Sequence, residues 1–174
     1  MAQTPFSSEE QWSEIRDFLG YSVSNRGRVM NVATGFCMTP TKKQNSGLLM
    51  VGLMKNGVQY KRSLTLLVAR EFVPPHPNEK FDTPINLNGD RADNQSTNLM
   101  WRPLWFAREY NKQFTDDHAT YDFPIEDVET GIMYKDSYSA AIEHGLLEHE
   151  IVMSMANNTY VWPTCQIFRE AIDR

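Results

Sequence analysis

Cysteine is scarce in this chain. Cys37 and Cys165 are the two among 174 residues, and they belong to no Cys-x-x-Cys or Cys/His cluster. That spacing argues against a zinc knuckle and predicts two free thiols buried as small apolar groups. Long apolar runs are missing as well. None approaches the roughly 18 residues that a membrane-spanning helix needs. The first residues, Met1-Ala2-Gln3-Thr4-Pro5, lack the basic-then-apolar layout of a signal peptide, so a cytoplasmic protein without a membrane partner is expected. What is not scarce is core-forming material. With 41% apolar and 11% aromatic residues, the chain is expected to fold rather than remain disordered.

Acidic residues are absent from one long stretch. From Arg26 to Arg70 there is no Asp or Glu, while eight bases occur: Arg26, Arg28, Lys42, Lys43, Lys55, Lys61, Arg62 and Arg70. From Gln113 to Arg174 the balance reverses, with twelve acids against Lys135, Arg169 and Arg174, a net of −9. The overall net charge of −5 therefore averages two opposite parts. A uniformly acidic protein would repel nucleic acid, but a basic N-terminal part joined to an acidic C-terminal part need not.

Local patterning predicts small elements. Ser7-Ser8-Glu9-Glu10 ahead of Trp12, Ile15 and Phe18 reads as a capped helical turn. Tyr21 and Val23 alternate with Ser22 and Ser24, and Asn25-Arg26-Gly27 turns the chain into a hairpin. Residues 47–54 read as a strand, Asn56-Gly57 as a type I′ turn, and 58–62 as the return strand. Leu64, Leu67, Val68 and Phe72 have helical spacing, closed by Pro74-Pro75-His76-Pro77. Residues 102–114 look helical and 115–120 form a polar linker. Then follow a strand-like segment at 123–128, a short helix from Ser137, a turn at Gly145 and a second helix over 148–157, the outline of a helix-turn-helix.

The densest motif is the loop at 85–101, Ile-Asn-Leu-Asn-Gly-Asp-Arg-Ala-Asp-Asn-Gln-Ser-Thr-Asn-Leu-Met-Trp. With its Gly89-Asp90 turn, Asp93-Asn94, and Asn98-Leu99-Met100-Trp101, it resembles the core loop of HNH nucleases of the phage-intron homing type. Residues 12–32 resemble the short module that precedes the nuclease core in such enzymes, and Tyr160-Val161-Trp162 with Gln166-Ile167-Phe168-Arg169 resembles the strand that ends their C-terminal module. The resemblance implies an α+β fold of small β hairpins, a ββα-metal (HNH-like) core and a helix-turn-helix-like C-terminal module. It divides the chain into an N-terminal nuclease-associated module at 1–40, a degenerate HNH-like core at 41–114, a linker at 115–122 and an acidic module at 123–174. It also implies the setting of a bacterial or phage-infected cell.

In that family an Asp and an Asn hold one divalent metal, and a His acts as general base on water. A neutral imidazole suits the task because its pKa lies near working pH, while the metal polarises the phosphate. Carried onto this chain, the metal-Asp position holds Asn86, the His position Leu87, and the second ligand position Ala107. A second family His, on the helix before the loop, is also missing. Alkyl groups can neither take a proton nor bind a hard cation, and one amide is a weak anchor. No catalytic residue and no metal ligand are therefore assigned. Asp90, Asp93, Glu109, Asn111, His76 and His118 could substitute, but turn, loop and linker roles explain them better. Asn94, Asn98 and Trp101 are expected to hold the loop together.

Three functions remain open. In the first, the chain is a catalytically degenerate relative that binds double-stranded DNA through Arg26, Arg28, Lys42, Lys43, Lys55, Lys61 and Arg62. In the second, it is an adaptor or inhibitor that meets a protein complex through its acidic C-terminal module. In the third, it is an active endonuclease or nickase with a rearranged site. No cofactor is expected, and Mg2+ enters only in that third case.

Overall fold

The computed structural model describes residues 9–115 and 120–171. It divides into two compact units, Met1–Leu104 and Trp105–Arg174. Among the described residues the architecture is α+β, built from small antiparallel sheets and four α-helices.

The first unit begins with strands β1 (Trp12–Glu14), β2 (Tyr21–Ser24) and β3 (Val29–Asn31), paired in that order. The helical turn expected around Trp12 is not found: this segment is an edge strand, with Trp12 opposite Ser24 and Glu14 opposite Ser22. The three-residue spacing of Trp12, Ile15 and Phe18 mimics a helix. It arises instead from a strand running into a tight turn, where Phe18 N donates to Ile15 O and both side chains are buried. The next sheet holds β4 (Thr41–Lys42), β5 (Leu49–Lys55) and β6 (Val58–Ser63). Asn56 (φ 52) and Gly57 (φ 75) both take positive φ, as the type I′ hairpin joining β5 and β6 demands.

Helix α1 (Leu64–Phe72) starts at Ser63, whose hydroxyl accepts from Leu66 N, and ends before the proline run. A two-stranded ribbon follows, β7 (Thr83–Asn86) with β8 (Leu99–Arg102). One core unites these parts. Val23 and Val29 meet Val51 and Leu53 of β5, Leu64, Leu67 and Val68 of α1, and Leu99 of β8. Each such side chain contributes about 1.5–3 kcal/mol on burial, so the N-terminal strands are integral to the unit.

The second unit holds helix α2 (Leu104–Lys112), whose first residue belongs to the preceding unit, then β9 (Ile125–Asp127), β10 (Met133–Tyr134), α3 (Ser137–His144), α4 (Glu148–Asn157) and β11 (Phe168–Glu170). Its sheet order is β10-β9-β11. Ile125, Tyr134, Ala140, Ala141, Leu146, Ile151, Val161 and Phe168 form its core. Asp136 caps α3 by accepting from Ser139 N, and Gly145, at φ 59, ends it in the left-handed conformation.

Both cysteines are exposed, contrary to the buried thiols that residue type alone suggests. Cys37 pairs only as an isolated bridge to Met30, and Cys165, at φ 60, sits in a turn, so neither lies on a strand or helix face that points into a core. Among the described residues no helix is long and apolar enough to cross a membrane.

Candidate functional site

Loop 87–98 leaves β7 and returns into β8, and its form follows from amide chemistry. Asn86, buried at the end of β7, donates its side-chain amide to Asp93 O at 2.8 Å. Asn98 donates to the same carbonyl at 2.9 Å and to Asn88 Oδ1 at 2.9 Å, while its own Oδ1 accepts from Asn88 N. Leu87 N donates to Asn98 O across the base of the loop. Asn94 is buried. Its Oδ1 accepts from Thr65 Oγ1 of α1 at 2.6 Å, and its amide donates to Arg91 O and Ala92 O.

Two further segments hold the loop from outside. Ser96 N donates to Asn25 O in the β2–β3 turn, and Arg91 donates to Ser46 O at 2.7 Å in the β4–β5 connection. Gly27, at φ +78, explains the close approach of the first: a Cβ there would lie 3.1 Å from Asn94 Cβ and from Asn94 O. Trp101, partly buried against the core, donates its indole N–H to Val73 O at 3.2 Å.

Of the residues that the resemblance places at chemistry-bearing positions, Asn86 is committed to a backbone carbonyl, Leu87 is half-buried, and Ala107, in the second unit, is buried on α2. An amide, an alkyl chain and a methyl group do not fit a divalent cation, which takes anionic oxygen. The substitute candidates are engaged in local structure. Asp90 Oδ1 accepts from Ala92 N, and Asp93 accepts from Asn88 Nδ2 and Gln95, both as Asx-type turns. Glu109 pairs with Lys112, and Asn111 donates to Ala107 O within the helix. His76 accepts from Asn78 N and stacks on Phe81 at 3.7 Å, whereas His118 lies outside the described residues. Among the described residues no three His, Cys, Asp or Glu side chains are grouped to hold a metal ion.

The basic residues are dispersed over the first unit rather than gathered on one face. Arg26 is exposed at the β2–β3 turn. Arg28 clasps Glu10 with both its Nε and Nη2 and lies over Trp12 at 5.5 Å. The Arg28 hydrogen bond holds the Glu10 carboxyl below its ordinary range. Lys42 and Lys43 lie at the end of β4, and a Cβ on Gly47 would meet Lys42 Cε and Arg91 Cδ, each at 3.8 Å. Arg91 thus joins the cations of this turn, a residue that the charge pattern passes over because Asp90 and Asp93 flank it. In the β5–β6 ribbon Lys61 opposes Gly52, on the side where Met54 is exposed. Arg62 opposes Val51 and turns to the other side, toward Phe18, as does Lys55.

The second unit carries a different polar group. Buried Asp127 accepts from Glu129 N, Thr130 Oγ1 and Gln166 Nε2. Burial pushes its carboxyl pKa up, but these hydrogen bonds prevail and the net direction is down. His144 lies beside Gln166 and is 2.7 Å from the Tyr134 hydroxyl. Glu148, the first residue of α4, is buried and accepts from Ser137 Oγ at 2.7 Å. Helix α4 exposes His149, Glu150, Met153, Ala156 and Asn157.

Residues 10–54 match the NUMOD4 motif. An uncharacterised HNH endonuclease of Acanthamoeba polyphaga mimivirus is 29% identical over 91 residues, 52% of this chain and 26% of the viral protein. The chain thus matches about a quarter of that relative's length. The solved structure of the HNH homing endonuclease I-HmuI, described as showing DNA binding and cleavage, superposes with a TM-score of 0.53 at 20% identity, covering 94% of this chain and 99% of that one. The chain is HNH homing-endonuclease-like in its motif and its fold.

Proposed function

We propose that this chain binds duplex DNA through the cations of its first unit and does not cleave it. The observation that carries the binding half is the acid-free stretch from Arg26 to Arg70, which supplies the β2–β3 turn and the β4–β6 sheet. A two-stranded ribbon such as β5–β6 is of a size that enters the major groove, and Lys42, Lys43, Lys55, Lys61 and Arg62 are suited to phosphates. I-HmuI, whose fold this chain shares, is described as binding and cleaving DNA. The loss of cleavage is supported by the donor set: Asn86, Leu87 and Ala107 offer no general base and no anionic metal ligand.

A second reading, an adaptor that docks a basic protein through the second unit, is favoured by one observation. Helices α3 and α4 contain no Lys or Arg, whereas a DNA-reading helix carries bases. One experiment separates the readings: affinity for a mixed duplex pool across a salt series with magnesium present. Binding that falls steeply with salt, with the DNA left intact, is expected. Charge reversal at Lys42→Glu with Lys43→Glu should weaken binding on the order of tenfold and flatten the salt dependence, because counterion release from two phosphates is lost. Nicked or cut DNA would overturn inactivity. No binding even at low salt would favour the adaptor.

A further inference from the structure

We propose that Arg62 is a pre-built phosphate fork, and that Phe18 and Tyr60 are the residues that position it. This rests on the duplex-DNA reading above and names the contact within it. Along β6, Tyr60 and Arg62 share one side of the ribbon, opposite Leu53 and Val51. The Arg62 guanidinium carbon lies 5.0 Å from the Phe18 ring centre and 5.2 Å from that of Tyr60. The two rings meet edge to face, with centres 5.8 Å apart. Phe18 is 3% exposed and fixed in the core; Tyr60 is 38% exposed at the rim. The Lys55 ammonium also lies over Phe18, at 5.7 Å.

Two cations thus share one ring, and among the described residues neither has a carboxylate partner. Three other cations of this unit meet carboxylates: Arg28 meets Glu10, Arg70 lies 3.8 Å from Asp17, and Arg16 lies 3.9 Å from Glu71. Arg62 donates one hydrogen bond, from Nη1 to Lys61 O, out of the five N–H groups that a guanidinium carries. A stacked guanidinium has already lost rotational freedom, so gripping an anion costs it less than it costs a free surface lysine. Asp17 and Glu71 line the same cavity as Phe18 and Arg62, and the planar guanidinium fork can give an incoming phosphate two parallel hydrogen bonds.

The test measures affinity for the same duplex pool, at several salt concentrations, for the full chain and four variants, with circular dichroism to confirm folding. Arg62→Ala is expected to lose on the order of tenfold in affinity and to lower the salt slope by about one. Arg62→Lys should keep the slope yet bind about threefold to fivefold more weakly, because an ammonium is a point charge. Tyr60→Leu should weaken binding severalfold with no charge changed, while Tyr60→Phe, which keeps the ring, should restore it. If the wild type binds and Arg62→Ala matches it in affinity and slope, the fork is wrong and DNA binding stands. If Tyr60→Leu binds as the wild type does, the positioning role is wrong. If the wild type itself does not bind, the DNA reading falls and the fork with it.

Discussion

Each unit is organised around a buried polar group, and the two groups are made of different chemistry. In the first, the loop 87–98 is held by amides: Asn86, Asn88, Asn94 and Asn98 reach backbone carbonyls, one another and a Thr hydroxyl. In the second, a carboxylate, Asp127, gathers a backbone N–H, a hydroxyl and the Gln166 amide, with His144 and Tyr134 adjoining. Amides donate and accept without changing charge, so they can fix a loop at any pH but cannot move a proton. Such a loop keeps its shape without a metal, because its hydrogen bonds run to its own backbone and side chains.

The sharpest way to break the comparison is Asn94→Ala. The change strands the buried Thr65 hydroxyl and removes the amide donor from the carbonyls of Arg91 and Ala92. A loss of about 2–4 kcal/mol in urea unfolding is expected, spread over this range by how far the loop relaxes. Because no ionising group is removed, the loss should be the same from about pH 4 to pH 8. A loss that varied strongly with pH would show that the loop depends on ionised Asp90 or Asp93 and not on its amides.

Asp127→Asn tests the other half. The folded-state pKa of Asp127 is lowered, so its contribution is fully present above the unfolded value near 3.9 and is lost as pH falls through the lower folded value. At pH 7 the variant should be about 1–3 kcal/mol less stable, since one carboxylate oxygen becomes an NH2 that cannot accept and the other a neutral acceptor. As pH falls from the unfolded value near 3.9 through the lower folded value, the wild type should converge on the variant. A constant gap between the two across the acid range would mean that shape, and not charge, holds the cluster.

How far these groups were legible in the sequence follows from the same chemistry. The Asn-Gly turn, helix α1, the ribbon β5–β6 and the helix pair α3–α4 follow from local signals: positive φ, apolar spacing, proline stops and a glycine cap. The loop was visible because its spacing is a motif, and Asn86 and Leu87 were assigned to family positions by that spacing alone. Trp12 was misread because an edge strand running into a turn reproduces helical spacing. The Asp127 group could not be found at all, since its members come from β9, α3 and the segment before β11, far apart in sequence. The Arg62 stack was hidden for the same reason: Phe18 and Tyr60 are 42 positions apart and meet only because the N-terminal strands join the core. Charge counting located Arg62 but grouped it with Lys61, from which the pleat separates it.

The smallest effect sharpens the role of Trp101, which closes the motif. Its ring packs on the core, while its indole N–H donates to Val73 O, the carbonyl of the residue that ends α1. These two contributions separate in Trp101→Phe, which retains much of the apolar area and removes the donor. The hydrogen bond is worth about 0.5–1.5 kcal/mol, and the smaller ring leaves a modest packing deficit. The variant should therefore lose about 1–2 kcal/mol in urea unfolding, less than Asn94→Ala, because the carbonyl of Val73 lies at the edge of the core where water can replace the indole. Amide exchange gives the finer reading: the N–H groups at the end of α1 should exchange faster in Trp101→Phe while those of Asn98 and Asn88 stay protected. Equal loss of protection in both places would make Trp101 part of the loop's own hydrogen-bonded frame, and a loss as large as that of Asn94→Ala would say the same.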